Sequence, residues 1–181
     1  MKIIFFCFLL VFGYSCKQDK KTNNASSVVA VDTVVSLPDS IHRIKLSFVG
    51  DIMGHGNQIR SAAGTAANFR SKQMKDFDYS TCFQYVQPIF EKADLMIGNL
   101  ELTLSNKGKY SGYPMFRTPD AFAYALKEAG FDLLTTCNNH SNDGFLYGLE
   151  HTIDVLDSLQ IRHTGTFKNQ IEKDSLYPLI V

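Results

Sequence analysis

Three short polar clusters carry the residues that could do chemistry. They are Gly50-Asp51-Ile52-Met53, Gly98-Asn99-Leu100-Glu101, and Cys137-Asn138-Asn139-His140-Ser141-Asn142-Asp143-Gly144. Carboxylates and amide oxygens bind hard divalent cations, and imidazole adds affinity for Mn, Fe or Zn. Asp51, Glu101, Asn139 and a histidine would therefore make a mixed oxygen and nitrogen site. A cation held there would acidify a bound water and polarise a phosphoryl or acyl oxygen. His140 would then serve as general acid to the leaving group, with Asp143 as the second catalytic candidate. The plainer reading of the third cluster is a strand-to-helix turn in which Asn142 or Asp143 caps the helix. Capping leaves His140 beside two asparagines unexplained.

Each cluster needs an element to position it, and the sequence supplies a strand before each one. Ile44 to Val49 alternates apolar and polar residues and then runs into Asp51. Asp94-Leu95-Met96-Ile97 ends at Gly98, and Phe131 to Thr136 is short, apolar and bounded by Gly130. Helical spacing lies between them. Asn57 to Phe69 is a weak helix, and Phe83, Val86, Ile89 and Phe90 form a stripe with Pro88 set to kink it. Thr118-Pro119-Asp120 reads as a helix start, with Thr118 as N-cap, Pro119 at the first position and an acid in the first turn. Phe122, Ala125, Leu126 and Ala129 give that helix its buried face. Leu149, Ile153 and Leu156 give the last helix its face. A short strand is expected near Ile161, and Tyr177 to Val181 is a final apolar run. Alternating strands and helices favour a parallel α/β sheet. Parallel strands would bring all three clusters to one edge, where ligands bind in such sheets.

The remaining candidates are weaker. His55 stands between glycines, either a fourth ligand or a plain loop histidine. His151 falls on the polar side of its helix and is expected to be exposed. His42 and His163 have no cluster around them. Arg117 is suited to a substrate carboxylate or phosphate, and equally to the surface.

The chain has 181 residues, 45% of them hydrophobic, enough for one globular domain. Lys plus Arg and Asp plus Glu both total 18, and no basic stripe with interleaved aromatics appears. Nucleic acid is therefore not an expected partner. Lys2 precedes a short apolar run, Ile3 to Phe12, that ends at Gly13-Tyr14-Ser15-Cys16. The run matches a secretory h-region and is too short for a stable membrane span. Residues 1–15 thus read as a signal peptide, either a lipoprotein leader or a plain secretory one. Residues 16–43 read as a tether of low apolar content. Cys82 and Cys137 remain, and could bridge only with Cα atoms within about 7 Å.

Taken together, these motifs have a counterpart. The elements are Gly50-Asp51-Ile52-Met53, Ala93-Asp94 with Asn99-Leu100-Glu101, Tyr113-Pro114, Ala125 to Asp132, Asn138-Asn139-His140-Ser141 with Asp143-Gly144, and Gly148-Leu149 with Thr152. In this order they closely resemble the CapA-like poly-γ-glutamate capsule synthesis proteins, a branch of the calcineurin-like metallophosphoesterases. The resemblance runs over residues 44 to 166. It implies a layered α/β/β/α sandwich with a metal centre at the strand ends. It implies that Asp51 is the first ligand, that Asn139 is a ligand and that His140 assists the transition state. Asn99 falls near the metal-bridging aspartate of the wider superfamily, with Glu101 two residues on, and Met53 stands where a histidine is usual. These departures suit one metal, or a weak second one, as well as a pair. The lipobox of bacterial lipoproteins is similar to Ser15-Cys16, which implies cleavage before Cys16, its acylation, and an exported protein anchored in the cell envelope.

Two functions fit. One is a metal-dependent hydrolase or transferase acting on an anionic envelope polymer or phosphoester. The other is a non-catalytic envelope protein that binds or guides exopolymer. A bound metal separates them. A third reading takes residues 44–181 as the N-terminal half of the family's domain, with sheet edges uncovered and the metal held weakly or not at all. The isolated chain is then expected to be unstable or oligomeric, and inactive.

Overall fold

A computed structural model describes residues 42–64 and 76–176. Four strands lie side by side and all run parallel: β1 (Leu46–Ile52), β2 (Leu95–Leu100), β5 (Leu133–Thr135) and β6 (Arg162–Thr164), in that order. A second, two-stranded parallel sheet pairs β3 (Thr103–Ser105) with β4 (Arg117–Pro119). The helices are α1 (Gly56–Ala62), α2 (Gln87–Phe90), α3 (Ala121–Glu128), α4 (Phe145–Ser158) and α5 (Gln170–Leu176). The parallel α/β arrangement is the one the alternating pattern requires. Among the described residues no helix is long and apolar enough to cross a membrane.

Register explains how distant polar residues meet. Asp51 pairs with Asn99, Asn99 with Thr135, and Thr135 with Thr164. One row at the carboxyl ends of the strands therefore collects Asp51, Asn99 and Thr135. The first strand reaches further than its sequence suggests. Gly50, Asp51 and Ile52 are part of β1, past an irregularity between Phe48 and Asp51. Ladder pairing of Asp51 with Asn99 and of Ile52 with Leu100 holds the end of the strand extended. β2 likewise continues through Asn99 and Leu100. β1 is an edge strand, and Leu46 and Phe48 remain exposed on it.

Helix α4 shows the link from spacing to packing. Thr152, Ile153, Val155 and Leu156 bury one face, each large apolar side chain contributing about 1.5–3 kcal/mol. Thr152 Oγ1 accepts the Leu104 N–H at 2.8 Å and donates to the Gly148 carbonyl at 2.7 Å, tying the helix to β3. Gly144 lies so close to that strand that a Cβ would meet Thr103 Oγ1 at 2.8 Å. Helix α3 ends at Gly130, whose φ of 96° suits glycine, and Phe131 N–H returns to the Leu126 carbonyl at 3.1 Å.

Several local expectations change. Thr118 and Pro119 belong to β4 rather than to the start of α3, because Thr118 pairs with Leu104 and is fully buried. Asp120 stands before α3 without capping it, since its carboxylate takes His151 Nε2 at 2.9 and 3.0 Å. His151 is accordingly half-buried and paired, not a free surface residue. His163 is buried with Nε2 at 2.9 Å from Asp157. Pro88 helps start the single turn of α2, where a missing N–H costs nothing, rather than kinking a longer helix. Helix α1 stops at Ala62, and the remainder of the expected Asn57–Phe69 helix falls partly outside the described residues. So do the leader, most of the tether and the run Tyr177 to Val181. Cys82 and Cys137 are both free and exposed.

Candidate functional site

The site is built on the row at the sheet edge and on the turn between β5 and α4. Asn99 is its hub. Its amide nitrogen donates to Asp51 Oδ1 at 2.8 Å, and its oxygen accepts from Thr135 Oγ1 at 3.0 Å and Asn138 Nδ2 at 3.2 Å. Asn138 also donates to the Leu100 carbonyl at 2.9 Å, while its own Oδ1 accepts the His140 N–H at 3.0 Å. Ser141 closes the turn: its hydroxyl bonds to the Asn138 carbonyl and accepts the Asn138 N–H. A turn tied to two strands in this way has little freedom, which is what a site needs of its scaffold.

His140 is held on three sides. Nδ1 lies 2.7 Å from Asp143 Oδ2, the Phe116 ring meets the imidazole edge-on at 4.6 Å, and Nε2 lies 3.8 Å from Glu101 Oε1. Asp143 is itself oriented, since Oδ2 also accepts the Phe116 N–H at 2.6 Å. Arg117 Nε donates to the Asp143 carbonyl at 3.1 Å. With Asp143 on Nδ1, the Nε2 atom is the one turned towards the carboxylates. His55 reaches the group only through Phe116, edge-on at 5.0 Å.

Glu101 is buried at 9% exposure, whereas Asp51 beside it is exposed. Burial pushes the Glu101 carboxyl above its ordinary range, the neighbouring Asp51 carboxylate adds to the rise, and His140 offsets part of it. A raised carboxyl binds its proton more tightly in the folded state than in the unfolded one. Stability therefore falls as pH rises from the ordinary glutamate range through the raised value. In the metal-free chain, Glu101→Gln should melt at a higher temperature than the parent at pH 7. The difference should vanish below about pH 4, where both forms are neutral. A less stable variant at pH 7 would show that the ionised carboxylate is held by a partner rather than strained.

The structure thus brings Asp51, Asn99, Glu101, His140 and Asp143 together. Asn139 sits on the same turn with its side chain exposed and makes no hydrogen bond among the described residues. Its neighbour Asn138 takes the inward position. Sequence reasoning missed Asn138, Thr135 and Phe116; the doubled asparagine was the one available signal. Among the described residues no three His, Cys, Asp or Glu side chains form a cation-holding group. The donor chemistry still fits a divalent cation. Asp51 and Glu101 are like charges side by side, and a dication relieves their repulsion.

A parallel α/β sheet with such a cluster at its carboxyl edge is consistent with a metallophosphoesterase-like fold. The chain belongs to the bacterial capsule synthesis protein family PGA_cap, which it matches over residues 45–180. It is similar to the PGA biosynthesis protein CapA of Bacillus subtilis (strain 168), 27% identical over 113 residues, covering 61% of this chain and 27% of the relative. It is also similar to the capsule biosynthesis protein CapA of Bacillus anthracis, 28% identical over 134 residues, covering 70% of this chain and 29% of that protein. A third relative, the uncharacterized protein y4sH of Sinorhizobium fredii (strain NBRC 101917 / NGR234), is 26% identical over 97 residues, 50% of this chain and 21% of its own length. The match therefore spans less than a third of the length of these relatives.

Proposed function

We propose that this chain carries a metal-assisted, hydrolase-like site that works on an anionic envelope polymer or phosphoester in capsule exopolymer synthesis of the poly-γ-glutamate type. The observation that carries this reading is the gathering of Asp51, Glu101 and the His140–Asp143 pair at one sheet edge, in a chain of the capsule family. Asp51, Asn99 and Glu101 would hold a divalent cation, with Mn, Fe or Zn suited to the donor set, and Asn139 would have to turn inward from its exposed place on the turn to join them. Such a cation supplies Lewis-acid polarisation of a phosphoryl or acyl oxygen. The rest falls to the chain's own groups. Asp143 and the Phe116 N–H keep the imidazole in one orientation, Phe116 shields one edge of it from water, and His140 handles a proton at Nε2.

Metal analysis of the purified soluble chain tests this directly. Asp51→Asn should lower bound metal by about tenfold or more, and His140→Ala should leave it near the parent level. Equal metal in parent and Asp51→Asn, or none in either, would remove the metal-assisted reading. A non-catalytic polymer-binding role would then stand, a second reading supported by the lack of three gathered acid, histidine or cysteine ligands among the described residues.

We place the protein in the envelope, exported and anchored through an acylated Cys16. Several acyl chains on one cysteine hold a membrane far more firmly than the single chain that gives only marginal binding. Cys16→Ser should move the protein from the membrane pellet to the soluble fraction. Undiminished membrane retention of that variant would refute the anchor.

A further inference from the structure

A cleft of about 260 Å³ is lined in part by Gly144, the residue that follows the His140–Asp143 turn. Strand β3 and the loop after it form one wall, Arg117 of β4 another, and the first turns of α4 the third. Lys107, Lys109 and Arg117 all line it, and no Asp or Glu does. None of these three cations makes an ion pair among the described residues. The start of α4 adds the positive end of a fourteen-residue helix. A solvent-open hollow with three such cations and no acid favours an anion.

The other walls narrow the choice of anion. Phe145 and Tyr147 give it exposed apolar surface. The Lys107 ammonium lies 3.5 Å from the centre of the Tyr147 ring, and the Arg117 guanidinium 5.4 Å from that of Phe145. Tyr147 is steadied by its hydroxyl, which donates to Asn106 Oδ1 at 2.6 Å. Phe145 and Lys109 both adopt left-handed backbone conformations, with φ of 56° and 57°. Non-glycine residues held in that region are strained, and such strain concentrates at ligand sites. Phe145 is also 63% exposed, an aromatic kept at the mouth of the cleft rather than in the core. Lysine and arginine side chains pair with phosphate and carboxylate alike, so the apolar rings between them decide the choice. Cations interleaved with apolar rings suit a chain that carries methylenes between its charges.

We propose that this cleft is a substrate subsite that seats a multiply charged carboxylate chain. Its carboxylates lie on Lys107, Lys109 and Arg117, and its methylenes lie against the exposed rings of Phe145 and Tyr147. Arg117 links this subsite to the reaction centre. Its Nε holds the carbonyl of Asp143, whose carboxylate holds His140, so a chain seated in the cleft leads towards the imidazole. The subsite deepens the hydrolase reading and rests on it only for the direction in which the chain leads.

Binding of a labelled short oligo-glutamate to the full chain tests the assignment, with neutral oligo-glutamine and inorganic tripolyphosphate as competitors. Oligo-glutamate should bind and weaken with added salt. The double variant Lys107→Glu/Lys109→Glu should weaken it by about tenfold or more. Both lysines are exposed, so the variant should keep the parent melting temperature. His140→Ala should bind as the parent does. Unchanged affinity in the double variant would overturn the subsite and leave the hydrolase reading intact. Oligo-glutamine or tripolyphosphate competing as well as oligo-glutamate would overturn the carboxylate-chain assignment. Binding that depends on both lysines in a chain with no turnover and no metal would instead remove the hydrolase reading and keep the subsite.

Discussion

His140→Ala should lower hydrolytic turnover by about 10²–10⁴-fold, the range general acid–base catalysis contributes, while bound metal stays near the parent level. The geometry accounts for both halves. Nε2 faces Glu101 and Nδ1 is occupied by Asp143, so the ring is placed to move a proton. Asp143 is a positioning residue, and its test is different. Asp143→Asn keeps the shape and the acceptor oxygen but loses the charge behind Nδ1. It should move the alkaline limb of the pH–rate profile to lower pH as well as lowering kcat, an effect that mere loosening of the turn would not give. Turnover of His140→Ala equal to the parent at equal metal content would exclude the imidazole from the chemistry. Loss of metal together with turnover would make His140 a ligand instead.

Phe122→Ala should cost about 3–5 kcal/mol of stability, the usual range for deleting a buried phenyl ring. Phe122 is 1% exposed on α3 and sits at the centre of an aromatic cluster. Its ring lies 5.1 Å from that of Tyr79 and 6.0 Å from that of Phe83, and Phe83 in turn meets Phe131 at 6.0 Å. Removing it leaves a hole that the Tyr79 and Phe83 rings fill poorly. The urea midpoint should drop while the slope of the transition stays constant. Tyr85→Ala, at an 86% exposed position, should change stability by no more than about 0.5 kcal/mol. A Phe122 variant no less stable than the Tyr85 one would mean that the aromatic cluster does not hold α3 in place.

Much of the site is legible in the amino-acid sequence. Short apolar runs before Asp51, Asn99 and Asn138 read as strands, and parallel strands place their carboxyl ends along one edge. The register that pairs Asp51 with Asn99 and Asn99 with Thr135 is fixed only in the folded sheet. Gly130 as a helix stop is equally plain, since only a residue tolerant of positive φ ends α3 so sharply. Other choices have no local signal. Asn138 and Asn139 are identical residues next to each other in a turn with no period. Which of them points inward depends on the Leu100 carbonyl and the Asn99 amide on a neighbouring strand.

Spacing, glycine punctuation and motif order are local properties of the chain. They are enough to set the alternation of β1, β2, α3, β5, α4 and β6, the family, and the chemical types available at the sheet edge, but not β3 and β4. The burial of Glu101, the placement of Thr118 and Pro119 in a strand, and the Asp120–His151 pair needed the folded molecule. So did the meeting of Lys107, Lys109 and Arg117 across one cleft. Each of these joins residues that chain spacing does not bring together. Their burial, charge environment and hydrogen-bond partners exist only once α4 has packed on β3 and β3 has paired with β4.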